Sequence, residues 1–180
     1  SRRRQRQMCI RDRNIELRIV SLVVRCREVA EDVVVFDTGS TDETVQLAGE
    51  VQSRVVEYNG DLTPQHLAKA AVSASLDDGL TLFLPISPMW KMAELPLSVN
   101  RAREGWDIHY LYREQPGTNA LEPMVLANSS MGHLIASAAG LQHLAQLPDD
   151  ATTDDVSDEV RARFVKTDAP IQLPQRQSLA

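Results

Sequence analysis

Residues Val33–Thr44 read VVVFDTGSTDET, and the fold follows from how this stretch is interpreted. Val33 to Phe36 is an unbroken apolar run between Glu31-Asp32 and Asp37. A run without alternation suits a strand covered on both faces, as in a parallel sheet. The loop Asp37-Thr38-Gly39-Ser40 ends it, and Gly39 permits tight backbone geometry there. Ser40 and Glu43 have the S-x-x-E spacing of a capping box, which predicts a helix over 41–51 with Val45, Ala48 and Val51 inward. In open α/β sheets ligands bind beyond the carboxyl ends of the strands, where Asp37 would sit. The start of the next helix offers free amides and a positive dipole end. Asp37 is then an acceptor for N–H or O–H groups of a base or ribose. The other reading is that Asp37, Ser40 and Asp42 only cap a loop and a helix.

The flanks extend the alternation. Ile15, Ile19, Leu22, Val23 and Cys26 recur in helical steps, predicting a helix over 14–27. Residues 54–58 read as a second strand and Asn59-Gly60-Asp61 as a turn. Thr63-Pro64 is a cap followed by proline at the first helical position, opening a helix with Leu67, Ala70, Ala71 and Ala74. Leu80 to Leu84 reads as a third strand. Helix and strand alternate over 14–84 with short connections, the pattern of a doubly wound α/β sheet. Further on, the sequence predicts helices over 96–104, 140–147 and 153–164, and strands over 106–113 and 123–127.

The segment Asp37-Thr38-Gly39-Ser40-x-Asp42-x-Thr44, entered from a hydrophobic strand, resembles the second-strand loop of family-2 glycosyltransferases. Ser21-Leu22 in the helix before it matches the family's usual Ser-Leu pair. The likeness covers roughly residues 15–84. It implies a Rossmann-like GT-A nucleotide-diphospho-sugar transferase fold with a mostly parallel sheet. It also implies a nucleotide-sugar donor, an acceptor hydroxyl, and a nucleotide site at Asp37, Thr38, Gly39, Ser40 and Asp42. Asp37 would contact the nucleoside, and Ser40 and Asp42 would shape the loop.

Two departures stand out. The family's opening strand, with its P-x-Y-N-E-like turn, would lie upstream of Asn14 and is absent, so the fold is expected to be incomplete at its N-terminus. After the third strand the family carries a D-x-D-type motif whose carboxylates hold a divalent ion. Here the chain reads Leu84-Pro85-Ile86-Ser87-Pro88, and Pro85 to Pro88 supply no charged oxygen ligand. No cofactor is assigned, and a divalent metal is doubtful on this ground. Lys91 is a candidate cation, while Asp77-Asp78 lies before the strand and reads as a helix-ending turn. An acceptor base is sought among Asp107, Glu114 and Glu122, without a motif to choose between them. His66, His109, His133 and His143 lack metal-ligand spacing and read as surface or packing residues.

Charge is divided unevenly. Nine of the 19 lysines and arginines fall within residues 1–27, leaving ten basic and 23 acidic residues from position 28 onward. An acidic body has no use for nucleic acid, whose phosphates need a basic surface. Met8–Arg13, MCIRDR, resembles translated adapter read-through, so residues 1–13 are expected to be a non-native basic extension. The domain is then 14–169 and the tail 170–180. No apolar run approaches the roughly 20 residues of a transmembrane helix. Two cysteines, Cys9 and Cys26, make neither a disulfide framework nor a metal site, which points to a cytoplasmic setting. Two rivals remain. Phe36–Ser40 also resembles the D-T-G-S element of aspartic proteases, which are all-β. The missing carboxylates after the third strand favour a catalytically degenerate GT-A-like scaffold or binding module.

Overall fold

A computed structural model of the chain describes residues 6–12, 15–28, 30–61, 63–74, 79–85, 105–114, 117, 119 and 121–166. Strands β1 (Arg6–Asp12), β2 (Asp32–Asp37), β3 (Arg54–Glu57) and β4 (Leu80–Pro85) alternate with helices α1 (Glu16–Arg27), α2 (Thr44–Glu50) and α3 (Pro64–Ser73). Then come β5 (Ile108–Glu114), β6 (Ser129–Ala136), α4 (Ala138–Gln146) and β7 (Ala162–Lys166). All seven strands form one sheet of order β3-β2-β1-β4-β6-β5-β7. Strands β1 to β4 are mutually parallel, β6 runs antiparallel to β4 and β5, and β7 is parallel to β5.

The unbroken run in β2 is buried throughout, and its alternate residues serve two layers. Val33 and Val35 join Ile19, Leu22, Val23 and Cys26 of α1 on one face. Val34 and Phe36 join Phe83, Leu67, Ala68 and Ala71 on the other, where α3 lies beside Leu141 and Leu144 of α4. Each large aliphatic side chain so buried contributes about 1.5–3 kcal/mol. Helix α3 begins as its sequence dictates: Thr63 Oγ1 accepts from the His66 amide, and Pro64 occupies the first turn. Burial pushes the Cys26 thiol up to about 12, so this cysteine is a packing group rather than a nucleophile.

Several sequence expectations are corrected. Arg6–Asp12, set aside as an extension outside the fold, is the central strand, paired with β2 on one side and β4 on the other. These residues occupy the position between β2 and β4. Backbone hydrogen bonding on both edges outweighs a composition that gave no apolar signal. The proposed capping box does not form. Helix α2 starts at Thr44, with Glu43 at its N-cap and no side-chain cap bond. Val45 is exposed, and Thr44 and Ala48 are the buried residues. Residues 153–164 are not a helix but a 3-10 turn over Thr153–Asp155 leading to β7. Residues 123–127 hold one isolated bridge, Val125 to Thr152, before a 3-10 turn at Leu126–Asn128. Strand β6 went unread in the sequence. The expected helix over 96–104, Lys91, Asp77-Asp78, Ile86–Pro88 and the 170–180 tail lie outside the described residues. No helix among the described residues is long and apolar enough to cross a membrane.

At the sheet edge opposite the Asp37 loop, Asp107 fastens the start of α4. Its carbonyl accepts from the Ser137 amide, and its carboxylate accepts from the Ser137 hydroxyl at 2.7 Å and the Arg161 amide at 3.0 Å. Gly140 packs so tightly here that an added Cβ would stand 2.0 Å from the Asp107 carbonyl oxygen. Gly140→Ala should therefore cost about 1–3 kcal/mol in urea unfolding; an unchanged midpoint would show that the helix can shift freely. Deletion of residues 1–12 should abolish cooperative thermal unfolding, because it leaves β2 and β4 without the strand between them. A cooperative transition in that shortened chain would disprove the central role of β1.

Candidate functional site

In the order β3-β2-β1-β4, the chain steps outward from β1 to β3 and then returns to the other side of β1. Such a reversal opens a crevice at the carboxyl ends of the strands. Register fixes what stands there: Asp12 beside Asp37, Asp37 beside Glu57, and Pro85 beside Arg11. The signature loop emerges at the carboxyl end of its strand, as the sequence predicts, and stands next to β1.

Asp37 is buried, at 6% exposure. Its carboxylate folds back over its own loop. Oδ2 accepts from the Gly39 amide at 3.2 Å and the Ser40 amide at 3.1 Å, and Oδ1 from the Ser40 amide at 3.2 Å. Gly39 has φ +92°, and a Cβ there would meet no atom within 4 Å. Its requirement for glycine is one of backbone conformation, not of space. The loop-capping reading of Asp37 is thus realised in the geometry. A carboxylate has about four acceptor positions, so capacity remains for a ligand donor.

Asp42 and Thr44 lock two helix starts together. Thr44 Oγ1 accepts from the Ile15 amide at 2.8 Å, Asp42 Oδ2 from the Glu16 amide at 3.2 Å, and Asp42 Oδ1 from the Thr44 amide at 3.0 Å. Glu16 returns the favour, its Oε2 accepting from the Glu43 amide at 3.1 Å. Amides that a helix start leaves unpaired are satisfied across the two elements. Burial pushes the Asp42 carboxyl up, but the bonds from Thr44, through side chain and backbone, and from the Glu16 amide outweigh it and hold it below the usual carboxylate range. Asp42 therefore shapes the loop and α1 together. The link to Thr44 was carried by the T of the motif, but its long-range partner at Ile15 has no signal in the sequence.

The underside of the loop rests on Tyr58. Its amide donates to the Asp37 carbonyl at 2.8 Å, and its ring meets Phe36 edge-on at 5.8 Å between centroids. Its hydroxyl donates to the Asp61 carbonyl. Gly60 leaves room for this ring, since a Cβ there would come within 2.7 Å of the hydroxyl oxygen.

Of the three base candidates, Asp107 lies at the opposite edge of the sheet, fastening α4. Glu114 ends β5 on the same edge as Asp37 but is ion-paired with Lys166. Glu122 is held in a turn with Asn119. The histidines divide by role. His109 and His133 are buried, stacked at 5.1 Å, and bonded Nδ1 to Nε2 at 3.0 Å. His143 Nε2 accepts from the Ser157 amide, and His66 stands between Asp61 and Asp149. The protease reading is overturned, because Asp37 ends a parallel strand that leads into a helix within a mixed α/β sheet.

The donor set at the end of β4 does not fit a divalent ion. The strand runs into Pro85, and no carboxylate follows in the sequence before Glu94. Hard cations are held by charged oxygens.

Because the folded Asp42 is more acidic than in the unfolded chain, its stabilising effect is present above the unfolded value near about pH 4 and is lost as pH falls through the folded value. Asp42→Asn should flatten the acid limb of the stability-versus-pH curve; an identical limb would show that the carboxylate is not linked to folding. Thr44→Val strands the buried end of the Ile15 bond and should cost about 1–3 kcal/mol in urea unfolding.

No protein-family model matches the sequence, and no curated protein matches it. Among solved structures the chain is similar to glucosyl-3-phosphoglycerate synthase from Mycobacterium tuberculosis in complex with Mn2+, uridine diphosphate and glucosyl-3-phosphoglycerate. The identity is 17% and the TM-score 0.56, over 91% of this chain and 70% of that one. The same enzyme with Mg2+ and uridine diphosphate aligns at 19% identity and TM-score 0.57, over 91% and 69%. A further mycobacterial protein aligns at 17% and 0.58, over 91% of this chain and 65% of that one. What the likeness establishes is architecture: the chain has the GT-A nucleotide-sugar transferase fold.

Proposed function

We propose that the chain is a glycosyltransferase domain that moves a sugar from a nucleotide-sugar donor to an acceptor hydroxyl. The observation that carries this reading is the position of the Asp37 loop at the strand-order reversal of a GT-A fold. Asp37, Thr38, Gly39, Ser40 and Asp42 form the nucleotide site. Asp37 holds the loop through the Gly39 and Ser40 amides and offers its remaining acceptor positions to the nucleoside. Asp42 sets the loop against α1. The structural neighbours include complexes with uridine diphosphate and with uridine-diphosphate-glucose and phosphoglyceric acid, which makes a uridine nucleotide the first probe. We assign the domain to the cytoplasm, on its cysteine usage and the lack of any described membrane-crossing helix.

The end of β4 favours one competing reading. Without carboxylates there, an ionised diphosphate leaving group lacks its usual stabiliser, and a binding module that no longer transfers sugar follows naturally. Calorimetry separates the two. Uridine diphosphate should bind the wild-type chain with or without Mg2+ or Mn2+, and Asp37→Ala should weaken binding at least about tenfold. No binding at millimolar nucleotide overturns the transferase reading and leaves the scaffold.

A further inference from the structure

We propose that His66 is a positioning residue for the nucleotide loop, tying the turn after α4 to the Asp37 loop through Asp61 and Tyr58. The inference deepens the proposed function and rests on it where nucleotide binding is concerned.

Topology brings the parts together. Helix α3 starts where β3 ends, at the carboxyl edge of the parallel strands. Helix α4 begins at the opposite edge, beside Asp107, and runs back, so Leu147 to Asp150 return to the site's edge. His66 meets this turn across 83 residues of sequence: its Nε2 stands 2.7 Å from Asp149 Oδ1. Its Nδ1 faces Asp61 Oδ2 at 3.7 Å. Gln65, the preceding residue, donates from Nε2 to the Pro148 carbonyl at 3.2 Å, so two consecutive side chains of α3 hold the same turn. On its other side, Asp61 receives the Tyr58 hydroxyl at its carbonyl, and the Tyr58 amide reaches the Asp37 carbonyl. A continuous line of contacts therefore runs Asp149–His66–Asp61–Tyr58–Asp37.

The exposures say what kind of role this is. The imidazole is 24% exposed, while the Asp61 and Asp149 side chains are 81% and 74% exposed. Polar contacts this open to water add little to global stability. Their geometry still fixes where the 148–150 turn and the 59–61 turn lie relative to the loop, which is what a weakly stabilising contact between two halves of a fold can do.

The test uses the full chain and three variants: His66→Ala, His66→Gln and Asp149→Ala. His66→Ala should weaken uridine diphosphate binding about fivefold with the melting temperature nearly unchanged, as expected for coupled neighbours. His66→Gln keeps a nitrogen donor at comparable reach and should restore affinity to within about twofold. Combining Asp149→Ala with His66→Ala should add nothing beyond the single loss. A second readout does not need nucleotide. Hydrogen exchange of the Gly39 and Ser40 amides should quicken in His66→Ala and return to the wild-type rate in His66→Gln. If the wild-type chain fails to bind nucleotide, the functional reading falls while the exchange result still decides the positioning role. Unaltered exchange in His66→Ala overturns the proposal, as does equal affinity in a chain that binds.

Discussion

Pairing of β1 along both edges is the constraint from which the rest follows. Each backbone amide and carbonyl of a central strand must find a partner in the sheet, and β1 finds them in β2 and β4. This pairing sets the level at which the neighbouring loops emerge: Asp37 is beside Asp12, and Pro85 beside Arg11. It also creates the reversal of strand order. Without β1, β2 and β4 would each present an open edge, and there would be no crevice for the Asp37 loop to border.

The second constraint is local, and it changes what the signature residues mean. Thr44 accepts the Ile15 amide, Asp42 the Glu16 amide, and Glu16 the Glu43 amide. The motif thus specifies how two helix starts and one loop fit together. Asp37, in turn, is bound by the Gly39 and Ser40 amides of its own loop. A sequence motif that looks like a list of contacts is, for half its members, a description of loop shape.

Particular residues show where sequence reasoning succeeds. Val33–Phe36 was legible because burial on both faces demands an unbroken apolar run, and Thr63-Pro64 because capping chemistry is local. Asp37 was placed correctly for the same reason: a strand end and a glycine turn are written in adjacent residues. The failures are non-local. Arg6–Asp12 owes its strand state to neighbours on both sides, while its arginine-rich composition mimics a tail. Strand β6, SSMGHLIA, carries serines, a glycine and a histidine, and becomes a strand between β4 and β5. The acidic stretch after Ala151 has helical spacing, yet its Thr152 and Asp155 close a capping box on a single 3-10 turn. The capping box read at Ser40 and Glu43 fails because Asp37 already takes the Ser40 amide. His66 and Asp149 could not be joined by any local signal, since their contact depends on α4 returning to the edge from which α3 departs.

Electrostatics at the crevice follow from these same contacts. A loop of free amides would attract phosphate, but here the amides of Gly39 and Ser40 are occupied by a carboxylate of the chain itself. The register adds Asp12 and Glu57 to the same edge. On the proposed reading, the Asp37 carboxylate would repel an ionised diphosphate, and the loop would suit the uncharged nucleoside, whose N–H and O–H groups a carboxylate can accept. On the proposed reading, the charge of a diphosphate would have to be met on the other side of β1, where the chain leaves β4. That segment is the one in which Pro85–Pro88 replace acidic ligands and Lys91 follows. A cation fixed by the chain there would serve the leaving group as a point charge, with the lysine's flexible stem setting its reach.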